Sequence, residues 1–368
     1  MHTTLIDLIT AIGRTPVCSV SITHLTHKEL KMKRLLSASL IATALSFIPT
    51  LATAQDQFNL RWAHYLPNGP FLEIENKFAE NVEKRTNGKV KITATYAGGL
   101  GGPGVILPLA GRGAVDFATS AAGYYPDSLP FWKASQLPFV FNSPKQAIET
   151  FKVLRKEFPV FDQEMKGMGV RFLFQQPLGN YYFVGTKEGC DTMAGLSGKK
   201  IRAFGSEIPK IISSAGGVAV TLTTTEMYEA VQRGVIDYAN ADVGNIASLK
   251  LYEVGKNICG PIMTFSGHMM TIGERTWNRL PKAYQDIIME EAAAAQQSYL
   301  EWVDLNGNKA LNIINNNGIK ITPFKAEEMV KWKAASPDLI QSWVDDMTKR
   351  GKGQDAAKIA ARWRELIK

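Results

Sequence analysis

Arg202 stands in Gly198-Lys199-Lys200-Ile201-Arg202, at the end of a strand-like run, with Gly205-Ser206 ahead of the next helix-like run. Ligands of α/β sheets bind beyond the carboxyl ends of strands, where a guanidinium can meet a carboxylate through two parallel hydrogen bonds. The plainer reading of a strand-end arginine is a structural ion pair. The run Gly99-Leu100-Gly101-Gly102-Pro103-Gly104 fits G-x-G-x-x-G between a strand and a helix, the place of a dinucleotide fingerprint. Pro103 removes a backbone donor that the phosphates need, and no acidic residue follows about twenty positions later in a suitable strand. It therefore reads as a Gly-rich turn. His64 and His268 are the histidines beyond residue 54, and neither has a His or Cys partner at metal-ligand spacing, so zinc is not expected. No G-x-S-x-G, H-E-x-x-H or C-x-x-C occurs. For an enzyme, the available titratable pair is His64 with a carboxylate such as Asp242.

The elements that carry these residues follow from pattern. Asn59–His64, Val90–Tyr96 and Asp116–Ala121 read as strands, separated by a helix ending at Asn87-Gly88 and by a Gly-rich turn with a helix to Arg112. Tyr124 to Phe139, rich in aromatics and proline, reads as a structured loop. A second α/β series starts near Val170, with strands Val170–Gln175, Tyr181–Thr186, Lys200–Ala203, Val218–Leu222 and Asp237–Ala241. Ile258–Met263 and His268–Gly273 read as strands returning to the first domain. A helix of unusual length is expected from about Lys282 to Asn315, able to brace both halves.

The 368 residues, 45% hydrophobic and 21% charged, suit two globular domains that need no metal or disulfide to fold. Lys31, Lys33 and Arg34 precede an apolar run, Leu35 to Leu51, ending at Ala52-Thr53-Ala54. This is the pattern of a secretory signal peptide cleaved before Gln55, too short in its core for a good membrane anchor. A leader opens its chain, so Met32 is the expected start and residues 1–54 are an upstream extension plus signal peptide. Beyond residue 54 the formal charge of +8 falls to +5, with 37 Lys and Arg against 32 Asp and Glu. No dense basic run remains, which argues against nucleic acid and suits a weak positive field over an anion site. Cys18 lies in the discarded stretch. Cys190 and Cys259 read equally as a disulfide or as two buried thiols, since sequence does not set their separation.

Glu226-Met227-Tyr228-Glu229-Ala230-Val231-Gln232-Arg233-Gly234-Val235-Ile236-Asp237 resembles the E-x-Y-x-A-x-Q-x-G-x-x-D signature of solute-binding proteins of tripartite ATP-independent periplasmic (TRAP) transporters. Gly195 to Arg202 is similar to the family's D-L-x-G-x-K-I-R segment, Leu251-Tyr252-Glu253-Val254 to its Y-E-V helix, and Phe78 to Gly88 to its first helix. The resemblance runs colinearly from about Asn59 to Leu366. It implies an α/β, two-lobed periplasmic binding protein of type II-like build, with hinge strands and a long helix spanning both lobes. Residues 55–178 and 267–315 would form lobe I with the spanning helix, 179–266 lobe II, and 316–368 C-terminal helices packed on the lobes.

The family's carboxylate-binding arginine matches Arg202. Many relatives that bind dicarboxylates or acidic sugars carry a second arginine where this chain has Asn180-Tyr181-Tyr182. An unpaired second carboxylate in a closed cleft would be costly, so a hydroxy, keto or aromatic monocarboxylate is expected, with a dicarboxylate as the alternative. The family's D-G-x-E-N-P is replaced by Asp237-Tyr238-Ala239-Asn240-Ala241-Asp242, leaving Asn240 or Asp242 to stand in for the usual cleft asparagine. Tyr65, Tyr124 and Tyr181 would supply aromatic walls with hydroxyl tips, or else merely pack the hinge and loops. The implied partners are a small organic acid and the small and large TRAP membrane subunits. The receptor itself is expected to be a monomer, not membrane-embedded, in the periplasm. No cofactor is implied, a ligand-associated metal stays open, and a sensor for a signalling receptor would share every cleft residue.

Overall fold

The computed structural model describes residues 57–263 and 266–368; the expected extension, signal peptide, start at Met32 and cleavage before Gln55 lie outside them. Eleven strands are numbered along the described chain: β1 (Phe58–His64), β2 (Val90–Thr95), β3 (Phe117–Ser120), β4 (Val170–Pro177), β5 (Tyr181–Gly185), β6 (Lys200–Ala203), β7 (Val218–Thr221), β8 (Tyr238–Asp242), β9 (Asn257–Met263), β10 (Ser266–Gly273) and β11 (Ile321–Thr322). They form two sheets, one per lobe, in the orders β2-β1-β3-β10-β4 and β11-β9-β5-β8-β6-β7.

In the first sheet β1 runs parallel to β2 and β3, while β10 is antiparallel to β3 and β4. All four residues of β3 are buried, as expected of a central strand covered on both faces. The helix Glu73–Arg85 buries Ile74, Phe78 and Val82, one stripe at fourfold spacing, and the chain leaves it through Asn87 and Gly88 at φ 50° and 75°. In the second sheet β6 is parallel to β7 and β8, and β5 lies antiparallel between β8 and β9.

Two expectations about sheet membership are corrected. Val170–Pro177 closes the first sheet instead of opening the second series, and Asn257–Met263 does not return to the first domain. It pairs with β5, and a disulfide between Cys190 and Cys259 (Cα–Cα 5.6 Å) ties it to the segment after β5. Only β10 goes back.

The chain thus crosses between the sheets from β4 to β5 and from β9 to β10, and a third time along the helix Lys282–Asn316. That helix packs on Glu73–Arg85 and β4 of the first lobe and on the short helix Val243–Ser248 of the second. Its buried residues through Val303 belong to the main core, whereas Ala310 and Ile314 join a separate core on the second sheet with Val184, Ala239 and Ile258. Gly307 lies between the two sets. The C-terminal helices reach both lobes: Trp332 donates to Ile211 O at 2.7 Å and Trp343 to Pro130 O at 2.9 Å. Among the described residues no helix is long and apolar enough to cross a membrane.

Candidate ligand-binding cleft

The four residues of β6 are short enough that Arg202, third in line, emerges at the strand's carboxyl end, where the chain turns at Gly205 (φ 63°). Its side chain is 2% exposed. Nε donates to Leu222 O at 3.1 Å, Nη1 to Asn240 O at 2.9 Å and Nη2 to Thr224 Oγ1 at 3.3 Å, and the Phe204 ring lies 4.4 Å from the guanidinium carbon. Three of the five donors are used, one hydrogen is left on each terminal nitrogen, and every acceptor is neutral. The other buried cation among the described residues, Lys133, is paired with Asp346 at 2.7 Å. Arg202 has no such partner. Beside it, the fully buried Asn240 leaves both amide atoms without a hydrogen-bond partner among the described residues.

Three tyrosines converge from different elements. Tyr124 ends the 3₁₀ turn Ala122–Tyr124 after β3, and its hydroxyl lies 3.0 Å from Thr224 Oγ1 while accepting the Thr224 N–H at 3.3 Å. The first lobe therefore touches the residue that also accepts from Arg202. Tyr65, directly after β1, meets Tyr124 edge-on at 6.0 Å, and Tyr181, first in β5, lies 6.2 Å from Phe204. Burial raises the Tyr65 and Tyr181 hydroxyls well above their ordinary range, with smaller contributions from Tyr124 and Asp242, so both stay protonated. Gly123 is required by its own lobe: a Cβ there would sit 2.7 Å from Gln136 Oε1, whereas the Phe204 ring of the other lobe, at 3.4 Å, would be an ordinary contact.

Asp242 ends β8 and caps Val243–Ser248. One carboxylate oxygen accepts the Asn245 N–H at 3.1 Å and the other the Asn245 side-chain amide. Burial lifts its carboxyl to about 6, against those hydrogen bonds and the charge of Arg202. Of the two proposed stand-ins for the family asparagine, Asn240 has its amide free and Asp242 is engaged in the cap.

The structure also assembles what spacing concealed. His64 does not pair with Asp242; its Nε2 lies 3.0 Å from Glu75 Oε2, and His268 Nε2 lies 2.6 Å from Glu75 Oε1. Tyr299 donates to the same Glu75 oxygen at 3.0 Å, and all four residues are buried. Burial works to raise the Glu75 carboxyl, but the two imidazoles outweigh it and hold it below the usual carboxylate range. Burial keeps His64 neutral, against the pull of Glu75. Two histidines and a carboxylate could in principle hold a metal ion. Here His64 Nδ1 accepts the Leu66 N–H at 3.0 Å, so the ring's one proton is on Nε2, the atom a metal would need. The cluster is a hydrogen-bond network. The helical periodicity of the Glu73 segment marks Glu75 as one more surface acid, and only the nearness of β1, β10 and the long helix reveals otherwise.

A surface cavity of about 490 Å³ lies away from Arg202, between the helix Pro144–Glu157, β4 and the long helix. The half-buried cation on its wall, Arg155, is already answered by Asp162 at 3.1 Å and the Phe172 ring at 4.2 Å.

Residues 64–346 match the family described as DctP, bacterial extracellular solute-binding protein, family 7. A Comamonas testosteroni protein named outer membrane transporter protein TsaT is 25% identical over 335 residues, covering 88% of this chain and 95% of that one. The monocarboxylate 2-oxoacid-binding periplasmic protein of a Nostoc species is 25% identical over 340 residues, 85% and 88% of the two chains. In fold, the chain is similar to a TRAP periplasmic solute-binding protein of Desulfovibrio salexigens solved with orotic acid, at TM-score 0.75 and 21% identity, covering 84% of this chain and all of that one.

Proposed function

Since the chain belongs to family 7 of the bacterial extracellular solute-binding proteins, we propose that its cleft captures an organic monocarboxylate on Arg202. The protein is a periplasmic TRAP receptor, a binding protein and not an enzyme, whose partners are a small organic acid and membrane subunits. The observation that supports the ligand class is a buried guanidinium bonded only to neutral acceptors, with one hydrogen left on each terminal nitrogen. A buried cation hydrogen-bonded only to neutral groups is costly, and a carboxylate taking those two hydrogens relieves the cost. One cation suits one carboxylate. The unpartnered Asn240 amide offers a neutral donor and acceptor beside it. Tyr65, Tyr124 and Tyr181 supply the walls.

In this reading the moving bodies are 55–178 with 267–315 and 179–266, with 316–368 packed on them. Tyr124 touching Thr224, which touches Arg202, links closure to occupancy: a ligand held by Arg202 favours the state in which that chain of bonds is complete. A thermal-shift screen of hydroxy, keto, aromatic and dicarboxylic acids tests the class. Monocarboxylates are expected to raise the melting temperature most, and a larger effect from succinate or malate would overturn the assignment. Arg202→Ala should abolish binding of every acid with the fold intact; retained affinity would remove Arg202 from the site.

A further inference from the structure

The buried network reaches the cleft through one hydroxyl. Tyr65 Oη lies 3.3 Å from His268 Nδ1, while His268 Nε2 lies 2.6 Å from Glu75 Oε1. An ionised carboxylate only accepts, so the His268 proton is on Nε2 and points at Glu75. With that tautomer fixed, Nδ1 of the neutral ring is a lone pair, and the Tyr65 O–H must donate to it. The Tyr65 oxygen then has only lone pairs to offer the space it shares with Tyr124, Tyr181 and Asp242. The groups facing His268 are Glu75 from the helix Glu73–Arg85, His64 at the end of β1, and Tyr65; Tyr299 of the long helix and the Leu66 N–H bear on it through Glu75 and His64. Both His64 nitrogens are occupied, so no second route around the relay exists among these groups.

We propose that His268 is a positioning residue that sets the hydrogen-bond polarity of Tyr65, so that the cleft selects a carboxylate ligand carrying an additional O–H or N–H donor over its keto or unsubstituted analogue. The inference rests on Arg202 holding the carboxylate and adds which second group the ligand bears.

Matched acids test it: lactate, propionate and pyruvate, and mandelate, phenylacetate and phenylglyoxylate, measured by calorimetry with the full-length mature protein. The hydroxy acid of at least one set should bind roughly tenfold tighter than its analogues, the effect of one well-placed hydrogen bond. Tyr65→Phe should bring the hydroxy and unsubstituted acids to equal affinity. His268→Gln, whose amide can donate to Glu75 and accept from Tyr65, should keep the preference, whereas His268→Leu, which frees the Tyr65 O–H, should lose it. A hydroxy-acid preference that survives Tyr65→Phe or His268→Leu overturns the proposal. Arg202→Ala separates the two readings: binding that survives it sinks the carboxylate site, whereas loss of all binding there with an unaltered ratio in Tyr65→Phe sinks only the role of His268.

Discussion

Asp242 carries a pH signature opposite to that of most carboxylates. Its carboxyl titrates near 6 in the folded protein, against about 3.9 for an unfolded aspartate. Between those values the folded state keeps a proton that the unfolded state has lost, so stability falls as pH rises through that window and stays lower above it. The gap corresponds to roughly 3 kcal/mol. Asp242→Asn should keep the cap, because asparagine caps as well as aspartate and the partnerless Asn245 Oδ1 can turn to accept from it. The expected outcome in ligand-free protein is a flatter stability profile between about pH 4 and 6.5 by urea titration, and an unchanged slope would show that Asp242 is not the cause. The placement of Arg202 was legible at this scale, because the run Lys200–Ala203 reads as a strand and puts it at that strand's carboxyl end. Glu75, His64 and His268 were not: His268 reaches Glu75 across 193 residues, and no local pattern encodes that meeting.

Strands and helices were legible almost throughout, because apolar runs bounded by Gly, Pro and Asn report burial directly. Pairing was less so. Nothing in the residues Asn257–Met263 says which sheet they join; the neighbour that decides it is β5, more than seventy residues earlier by the register Gly185↔Asn257. The disulfide is the same kind of fact. Closing a 69-residue separation, Cys190–Cys259 should contribute about 4 kcal/mol by chain-entropy arithmetic. Replacing both cysteines with serine should lower the melting temperature by several degrees while leaving ligand specificity intact, because neither sulfur lies among the residues around Arg202. An equal melting temperature in the oxidised protein and the double variant would count against that contribution.

Two lobes and a spanning helix followed from the colinear resemblance, but the closed arrangement in which Tyr124 meets Thr224 had no signature in sequence. Tyr124→Phe removes that bond and should weaken ligand binding about fivefold to tenfold, chiefly through faster dissociation in stopped-flow measurements. Gly307 stands in the long helix where its buried face passes from one core to the other. An added Cβ there would make only an ordinary contact with Val243 at 4.0 Å, so Gly307→Ala should raise stability by about 0.5–1 kcal/mol. If the helix yields at Gly307 when the lobes part, small-angle scattering should show a smaller ligand-induced compaction in that variant. The Cys190–Cys259 bond has one more effect, set by geography. Sulfur bridges do not persist in a reducing cytosol, so a newly made copy awaiting translocation lacks its staple and is easier to keep threadable. Arrival in an oxidising space snaps the latch, and the sturdiness of the molecule becomes a property of its address.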